Sequence, residues 1–325
     1  MGTRVLITGG AGFVGSRLAR ELLKRGEIGG RKIDELCLTD LRAPATSLMA
    51  DNRVQSIVGT LIDRAVELGS KKFDLVFHLS GAVSAECEAD FDLGMRSNLH
   101  TIQFLLESLR AGGNVPRVVF SSSLAVFGPD PGVPMPSTVR DDTLPTPQSS
   151  YGIQKLIGEH LISDYTRKGF MDGRSVRPNT VVVRPGRPNG AASGFMSGII
   201  REPLSGVPAV CPVAPETRVA LGSTKGTIAA LIRVAEVTRE EFGGRTAINL
   251  PALTISIAEM LDALEKVGGK AARDLVRFER DPAIVRLVDS WPAAVHAARA
   301  EHMGILPDTD FETIVRDYLA DQKAS

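Results

Sequence analysis

The chain has 325 residues, 43% of them apolar and 23% charged, a composition that suits a globular protein of about two domains. Lys plus Arg and Asp plus Glu are 38 each. That balance excludes the basic excess of a protein that lives on nucleic acid or an anionic membrane, and no apolar run approaches the roughly 18 residues of a membrane span.

The pattern Val5-Leu6-Ile7 predicts a first strand, with no apolar signal segment before it. Phe13 to Arg25 reads as a helix, with Val14, Leu18 and Leu22 at helical spacing and Gly26 as its stop. Further strands are predicted at Leu36–Leu38, at Leu75–Leu79, which is almost wholly apolar, and at Val118–Phe120. Helical patterns run around Phe91 to Leu109 and over Tyr151 to Lys168, and Val181-Val182-Val183 is the next predicted strand. This alternation implies an α/β fold, a Rossmann-type doubly wound parallel sheet. From 186 to 216 the chain is rich in Gly, Pro, Ala and Ser and predicts loops and short helices. A strand at Ala247–Leu250, a helix at Ile257–Val267 and a mainly helical stretch from Pro282 to Tyr318 complete it. The expected organisation is a nucleotide-binding domain over 1–185 and a smaller mixed α/β substrate-binding lid over 186–325, with a strand and helix returning to the first domain near 219–255. Three cysteines, odd in number and without a C-x-x-C pair, suggest reduced thiols in a cytoplasm. Five histidines without an H-E-x-x-H cluster predict no metal site.

Three motifs carry chemistry. Thr8-Gly9-Gly10-Ala11-Gly12-Phe13-Val14-Gly15 stands between a strand and a helix, where glycines let backbone N–H groups approach a pyrophosphate at a helix N-terminus. Asp40 follows the second strand, where a carboxylate accepts from the adenosine ribose and repels a 2′-phosphate; this favours NAD over NADP, although Arg42 nearby offers a phosphate partner. The residues between Gly26 and Glu35 set it later than usual. Tyr151 and Lys155 are four apart on a helix, so phenol and ammonium share a face, and the cation, with a nicotinamide ring, favours the phenolate a general base needs. His78 reads as a satisfied core histidine and Trp291 as packing.

These motifs, with His78-Leu79-Ser80-Gly81, Asn98, Ser121–Gly128 and Arg184-Pro185-Gly186, resemble the extended short-chain dehydrogenase/reductases, the superfamily of NAD-dependent epimerases and dehydratases. The resemblance spans nearly the whole chain. It implies Ser123, Tyr151 and Lys155 as the catalytic set, with Ser123 on the reacting oxygen, Tyr151 as acid/base and Lys155 on the nicotinamide ribose. It implies an NAD site at Gly9, Gly12, Phe13, Val14, Gly15, Asp40, Leu61, Ser80, Gly81, Ala82, Asn98, Tyr151, Lys155 and Pro185. Thr60 stands where an Asp often meets the adenine, so that contact passes to Leu61; Phe127 replaces a frequent Tyr, and Asn98 lacks a frequent companion Gly.

A narrower resemblance lies in Asp90–Gly94, Pro147–Gly152, Arg184–Asn189, Ser197–Leu204, Cys211–Val213, Asp281–Ile284 and Ser290–Pro292, and points to a branch that oxidises a four-carbon sugar acid. Epimerases of this kind resemble one another in a neutral Asn after the sixth strand; this chain has Arg187 in the corresponding reading. A guanidinium fork suits a carboxylate, so Arg187 is one candidate clamp and Arg218 another. Ser84, Ser123, Tyr151, Asn189 and Ser193 are the other candidate substrate contacts. The His-Val-x-Asp segment of many epimerases is absent, and Leu221-Gly222-Ser223-Thr224-Lys225 stands there. A nucleotide-sugar epimerase or dehydratase and a non-catalytic NAD sensor are the rival readings. The superfamily implies a homodimer through the helices at 91–109 and 151–168, where Ile102, Leu106, Leu161 and Ile162 exceed one core stripe.

Overall fold

The structure, a computed structural model, describes residues 2–186 and 192–323. Strand β1 (Thr3–Thr8) is buried on both faces: Val5 and Ile7 enter the core on one side and Leu6 the core on the other. Helix α1 (Phe13–Arg25) ends at Gly26, whose φ of 70° suits glycine and whose N–H bonds the Leu22 carbonyl. The residues that delay Asp40 form a hairpin of β2 (Glu27–Ile28) and β3 (Arg31–Asp40). Then come α2 (Thr46–Met49), β4 (Val54–Val58), α3 (Leu61–Ser70) and β5 (Leu75–His78). A broken helical run follows: α4 (Ser84–Ala89), α5 (Phe91–Gly94), a π-helical turn at Met95–His100 and α6 (Thr101–Ala111). It leads to β6 (Arg117–Ser121), β7 (Val139–Arg140), α7 (Ser150–Arg167), β8 (Asp172–Arg177) and β9 (Thr180–Val182). The rest comprises α8 (Gly194–Leu204), β10 (Ala209–Cys211), β11 (Arg218–Ser223), α9 (Thr224–Glu236), α10 (Arg239–Phe242), β12 (Ile248–Asn249) and β13 (Leu253–Ser256). It ends with α11 (Ile257–Gly268), α12 (Lys270–Arg273), β14 (Val276–Phe278), α13 (Pro282–Asp289), β15 (Val295–His296), α14 (Ala298–His302) and α15 (Phe311–Lys323).

The main sheet is parallel in the order β4-β3-β1-β5-β6-β8-β12, with β2 antiparallel on β3. This is the Rossmann-type doubly wound sheet. Strand order reverses between β1 and β5, and the crevice outside their carboxyl ends is where such sheets bind ligands. One core cluster, with α1 and α9, covers one face; the other, with α3, α6 and Ile162 of α7, covers the opposite face. A second sheet, β13-β11-β9, packs with α8, α11 and α15 over its own core of Met196, Ile199, Leu221, Leu264 and Val315.

Two sequence expectations need correction. The strand beside β6 is β8, not Val181–Val183, and β9 pairs instead with β11 in the second sheet. The segment Asp172-Gly173-Arg174-Ser175-Val176-Arg177 lacks an apolar run because charge pairing replaces it. Arg174 is 0% exposed, bonds the carbonyls of Val234 and Val237 at the end of α9, and pairs with Asp172. A neutral Asn179 therefore does follow the sixth strand of the sheet. The second correction concerns the helices of the expected dimer. Ile102, Leu106 and Ile162 are buried in the monomer's own core and Leu161 packs against it. The exposed apolar side chains there are Phe91, Phe104 and Ile153.

No helix among the described residues is long and apolar enough to cross a membrane. Cys37, Cys87 and Cys211 are free and buried.

Candidate active site

The glycine loop is shaped by backbone contacts that leave no room for side chains. Gly9 has φ of 70°, and a Cβ on Gly15 would lie 2.1 Å from the Gly9 carbonyl oxygen. Phe13 and Val14 open α1, with Val14 packed on the core. Asp40 stands at the tip of β3 and accepts from the Ala11 N–H at 3.1 Å, so its carboxylate is tied to the loop. Glycine cradle, helix N-terminus and strand-tip carboxylate fit the pyrophosphate and ribose of NAD. Thr60 accepts from Asp63 N–H as the N-cap of α3, and the Leu61 side chain is buried in the core, which leaves only the Leu61 backbone for a cofactor contact.

The opposite wall is held from behind. Asn98, inside the π-helical turn, accepts from the Ala82 N–H at 2.8 Å and donates to the Gln154 side-chain oxygen Oε1 at 2.9 Å. Buried as it is, Asn98 positions the Ser80-Gly81-Ala82 backbone and ties it to α7; π turns often mark such functional distortions. A Cβ on Gly81 would lie 2.6 Å from Asn98 Oδ1. Thr8 Oγ1 meets both His78 Nδ1, at 2.8 Å, and the Ser80 hydroxyl, at 3.0 Å. His78 is a buried, satisfied histidine, and desolvation with the nearby Lys155 charge holds its pKa down at about 3.

Ser123, Tyr151 and Lys155 come together. Ser149 caps α7 by accepting from the Gly152 N–H, and a Cβ on Gly152 would lie 2.1 Å from the Ala125 carbonyl oxygen. Only glycine after Tyr151 lets the start of α7 lie against the turn at Ser123. The Ser123 hydroxyl accepts from the Ala125 N–H at 3.1 Å and lies close enough to the Tyr151 phenol to lower its pKa. Lys155 Nζ donates to the Ser121 carbonyl at 2.9 Å and lies 5.7 Å from the Tyr151 ring centroid. Burial pushes the Tyr151 phenol up; the Ser123 hydroxyl and the Arg184 charge pull it down. Arg184 is thus a second cation whose charge reaches the phenol, besides Lys155 at the ring.

Burial lowers Lys155 to about 8, against the Cys87 and Glu159 charges that raise it. Because that lies below the ordinary 10.5, the charged ammonium costs the fold free energy below pH 8, and the cost fades as pH rises from 8 towards 10.5. Lys155→Met is expected to stabilise the cofactor-free protein at neutral pH by about 3 kcal/mol at most, while turnover is lost. Urea unfolding at neutral pH and above the ordinary lysine pKa reads this; a variant no more stable at neutral pH contradicts the buried charge.

Beneath the site lies a network the sequence reading missed. Glu159, one turn beyond Lys155, accepts from the Ser122 hydroxyl at 2.5 Å and from Arg177 at 2.8 and 2.7 Å, all of it buried. Phe127 lies under the Arg177 guanidinium at 4.9 Å. The spacing Tyr151, Lys155, Glu159 on one helical face was the available signal.

The other candidates scatter. Ser84 opens α4. Ser193 accepts from Arg184 Nη2 at 3.1 Å, and Pro185 follows Arg184 half-buried. Arg218 is 53% exposed, with Glu259 at 3.7 Å and a hydrogen bond to the Thr254 carbonyl, so the structure does not bring it to Tyr151. Arg187 and Asn189 lie outside the described residues. Among the described residues no cluster of His, Cys, Asp or Glu forms a metal site.

A strand, glycine loop and helix in this order, with a Ser-Tyr-Lys cluster across the crevice, define a nucleotide-dependent redox scaffold. The chain belongs to the NAD dependent epimerase/dehydratase family, whose model it matches over residues 5–235. It is 49% identical to D-erythronate dehydrogenase of Cupriavidus necator, covering 98% of both chains. It is 39% identical to D-erythronate dehydrogenase of Haemophilus influenzae, over 97% of this chain and 98% of that one. Among solved structures it is similar to the nucleoside-diphosphate-sugar epimerase from Agrobacterium tumefaciens, with a TM-score of 0.92 and 38% identity over 99% of this chain and 95% of that one. The chain is an enzyme, an NAD-dependent dehydrogenase acting on a CH–OH group.

Proposed function

We propose that the protein oxidises a short sugar acid, D-erythronate first among candidates, to its 2-keto acid. The observation that carries this reading is the 49% identity to a D-erythronate dehydrogenase along 98% of both chains. The glycine loop and Asp40 would hold NAD, which would supply the acceptor for the hydride leaving C2. Tyr151, as phenolate, takes the proton of the C2 hydroxyl, and Ser123 holds the same oxygen as its charge develops. Lys155, fixed by the Ser121 carbonyl 5.7 Å from the Tyr151 ring centroid, would hold the nicotinamide ribose. Residues 1–185 form the cofactor domain in this reading, with 186–325 shaping the substrate pocket. The enzyme acts in the cytoplasm as a homodimer, in which the exposed Phe91, Phe104 and Ile153 supply the apolar contact.

A second reading, a nucleoside-diphosphate-sugar epimerase, draws on the Agrobacterium relative's name. The two differ in net chemistry, since an epimerase returns its hydride. Purified protein with NAD and a panel of D- and L-erythronate, D- and L-threonate and UDP-glucose separates them. NADH accumulating preferentially on D-erythronate is the expected result. Interconversion of the nucleotide sugar without NADH overturns it.

A further inference from the structure

Arg184 is held in place like a structural arginine, yet among the described residues it pairs with no carboxylate. It follows β9 and is half-buried. Its Nε donates to the Val181 carbonyl at 2.9 Å and its Nη2 to the Ser193 hydroxyl at 3.1 Å. Its backbone is fixed as well: the N–H donates to Ser197 Oγ at 3.1 Å, and the carbonyl accepts from Arg201 at 2.7 Å. The buried arginines each have a carboxylate, Asp172 for Arg174, Glu159 for Arg177 and Glu202 for Arg201. Among the described residues Arg184 has none, and its Nη1 has no hydrogen-bond partner. A guanidinium withdrawn from water without a counter-ion is costly unless an anion arrives to meet it. The side chain also lies within electrostatic reach of Tyr151: its charge pulls the phenol down, and burial holds its own pKa below the ordinary value.

We propose that Arg184 receives the substrate carboxylate beside Tyr151, with Ser193 as the positioning residue that aims the guanidinium. This deepens the sugar-acid reading and rests on it. The arrangement also sets regiochemistry. A carboxylate anchored next to the phenol brings the adjacent carbon, C2, to the base, and carries the terminal hydroxyl away from it. Ser193 then acts through Arg184, where the sequence suggested a direct substrate contact. Arg218 is already engaged by Glu259 and has no part in this.

The test uses full-length enzyme with NAD, D-erythronate and the neutral tetritol of the same length. Arg184→Gln is expected to raise the KM for the acid on the order of a hundredfold and to erase the preference for acid over tetritol. The NAD dissociation constant should stay within about threefold. Added guanidinium ion should restore part of the activity of Arg184→Ala, which loss of structure alone would not allow. Should the glutamine variant fail to fold, Arg184→Lys keeps the charge without the fork and should lose about tenfold in kcat/KM on the acid. A wild type that makes no NADH from any sugar acid sinks the functional reading itself. A wild type that does, with an Arg184→Gln KM within about threefold of its own, sinks only the assignment to Arg184. A hundredfold loss found at Arg187→Gln instead, with Arg184→Gln unaffected, does the same.

Discussion

Tyr151→Phe is expected to lower kcat by on the order of a hundred- to ten-thousandfold, with NAD binding nearly intact. The phenylalanine ring keeps the packing over Lys155 and removes only the oxygen close to Ser123. The pH profile should separate this from a packing defect. Burial raises the Tyr151 pKa, so the wild-type phenolate, and with it kcat, should grow as pH rises through the neutral range. The variant's residual rate should lose that slope. Turnover near that of the wild type, or an unchanged slope, would remove Tyr151 from the role of base.

The second large effect falls on stability. Glu159→Ala strips the carboxylate from Arg177 and leaves a buried guanidinium 6% exposed at its side chain, with Asn249 and the Phe127 ring beside it among the described residues. Losing one partner of such a pair costs about 3–5 kcal/mol, far more than the pair itself contributes over apolar residues of equal volume. Urea denaturation should show a lowered midpoint at unchanged slope, and the double replacement Glu159→Leu with Arg177→Met should recover most of the loss. Activity should fall further than stability explains, because Ser122 loses its grip one residue from Ser123. A single-variant cost under about 1 kcal/mol would mean that water reaches the pair.

Much of the candidate site was legible because it is local. The glycine loop needs its glycines within one turn, and Tyr151 and Lys155 share a face at fixed spacing. Strand β1 advertises itself with an apolar run buried on both sides. What sequence hid was settled by tertiary pairing. Strand β8 reads as polar because Arg174 and Arg177 find Asp172, Glu159 and carbonyl partners far along the chain. Val181 and Val182 do form a strand, β9, but it joins β11 in the second sheet and not β6 in the first, a pairing that an apolar run alone does not specify. Ile102, Leu106 and Ile162 looked surplus on a helical wheel, yet they meet each other and Phe120 in one cluster. A wheel describes one helix and is blind to what a neighbouring strand covers.

Helix α9 lies on the first core cluster, with Ile228, Leu231 and Val234 in the same apolar group as Val5, Val119 and Val176. A ribosome delivers Ile228 52 residues after Val176 and 109 residues after Val119. The nascent chain up to Val176 therefore carries one finished face and one that α1 covers only in part, and the uncovered part stays open until residue 234 has cleared the exit tunnel. The sheet cannot close in the order in which it is made. A cut placed after the last segment of the glycine-loop half would yield an open apolar surface rather than a smaller protein, and chaperone demand during synthesis should peak in that interval.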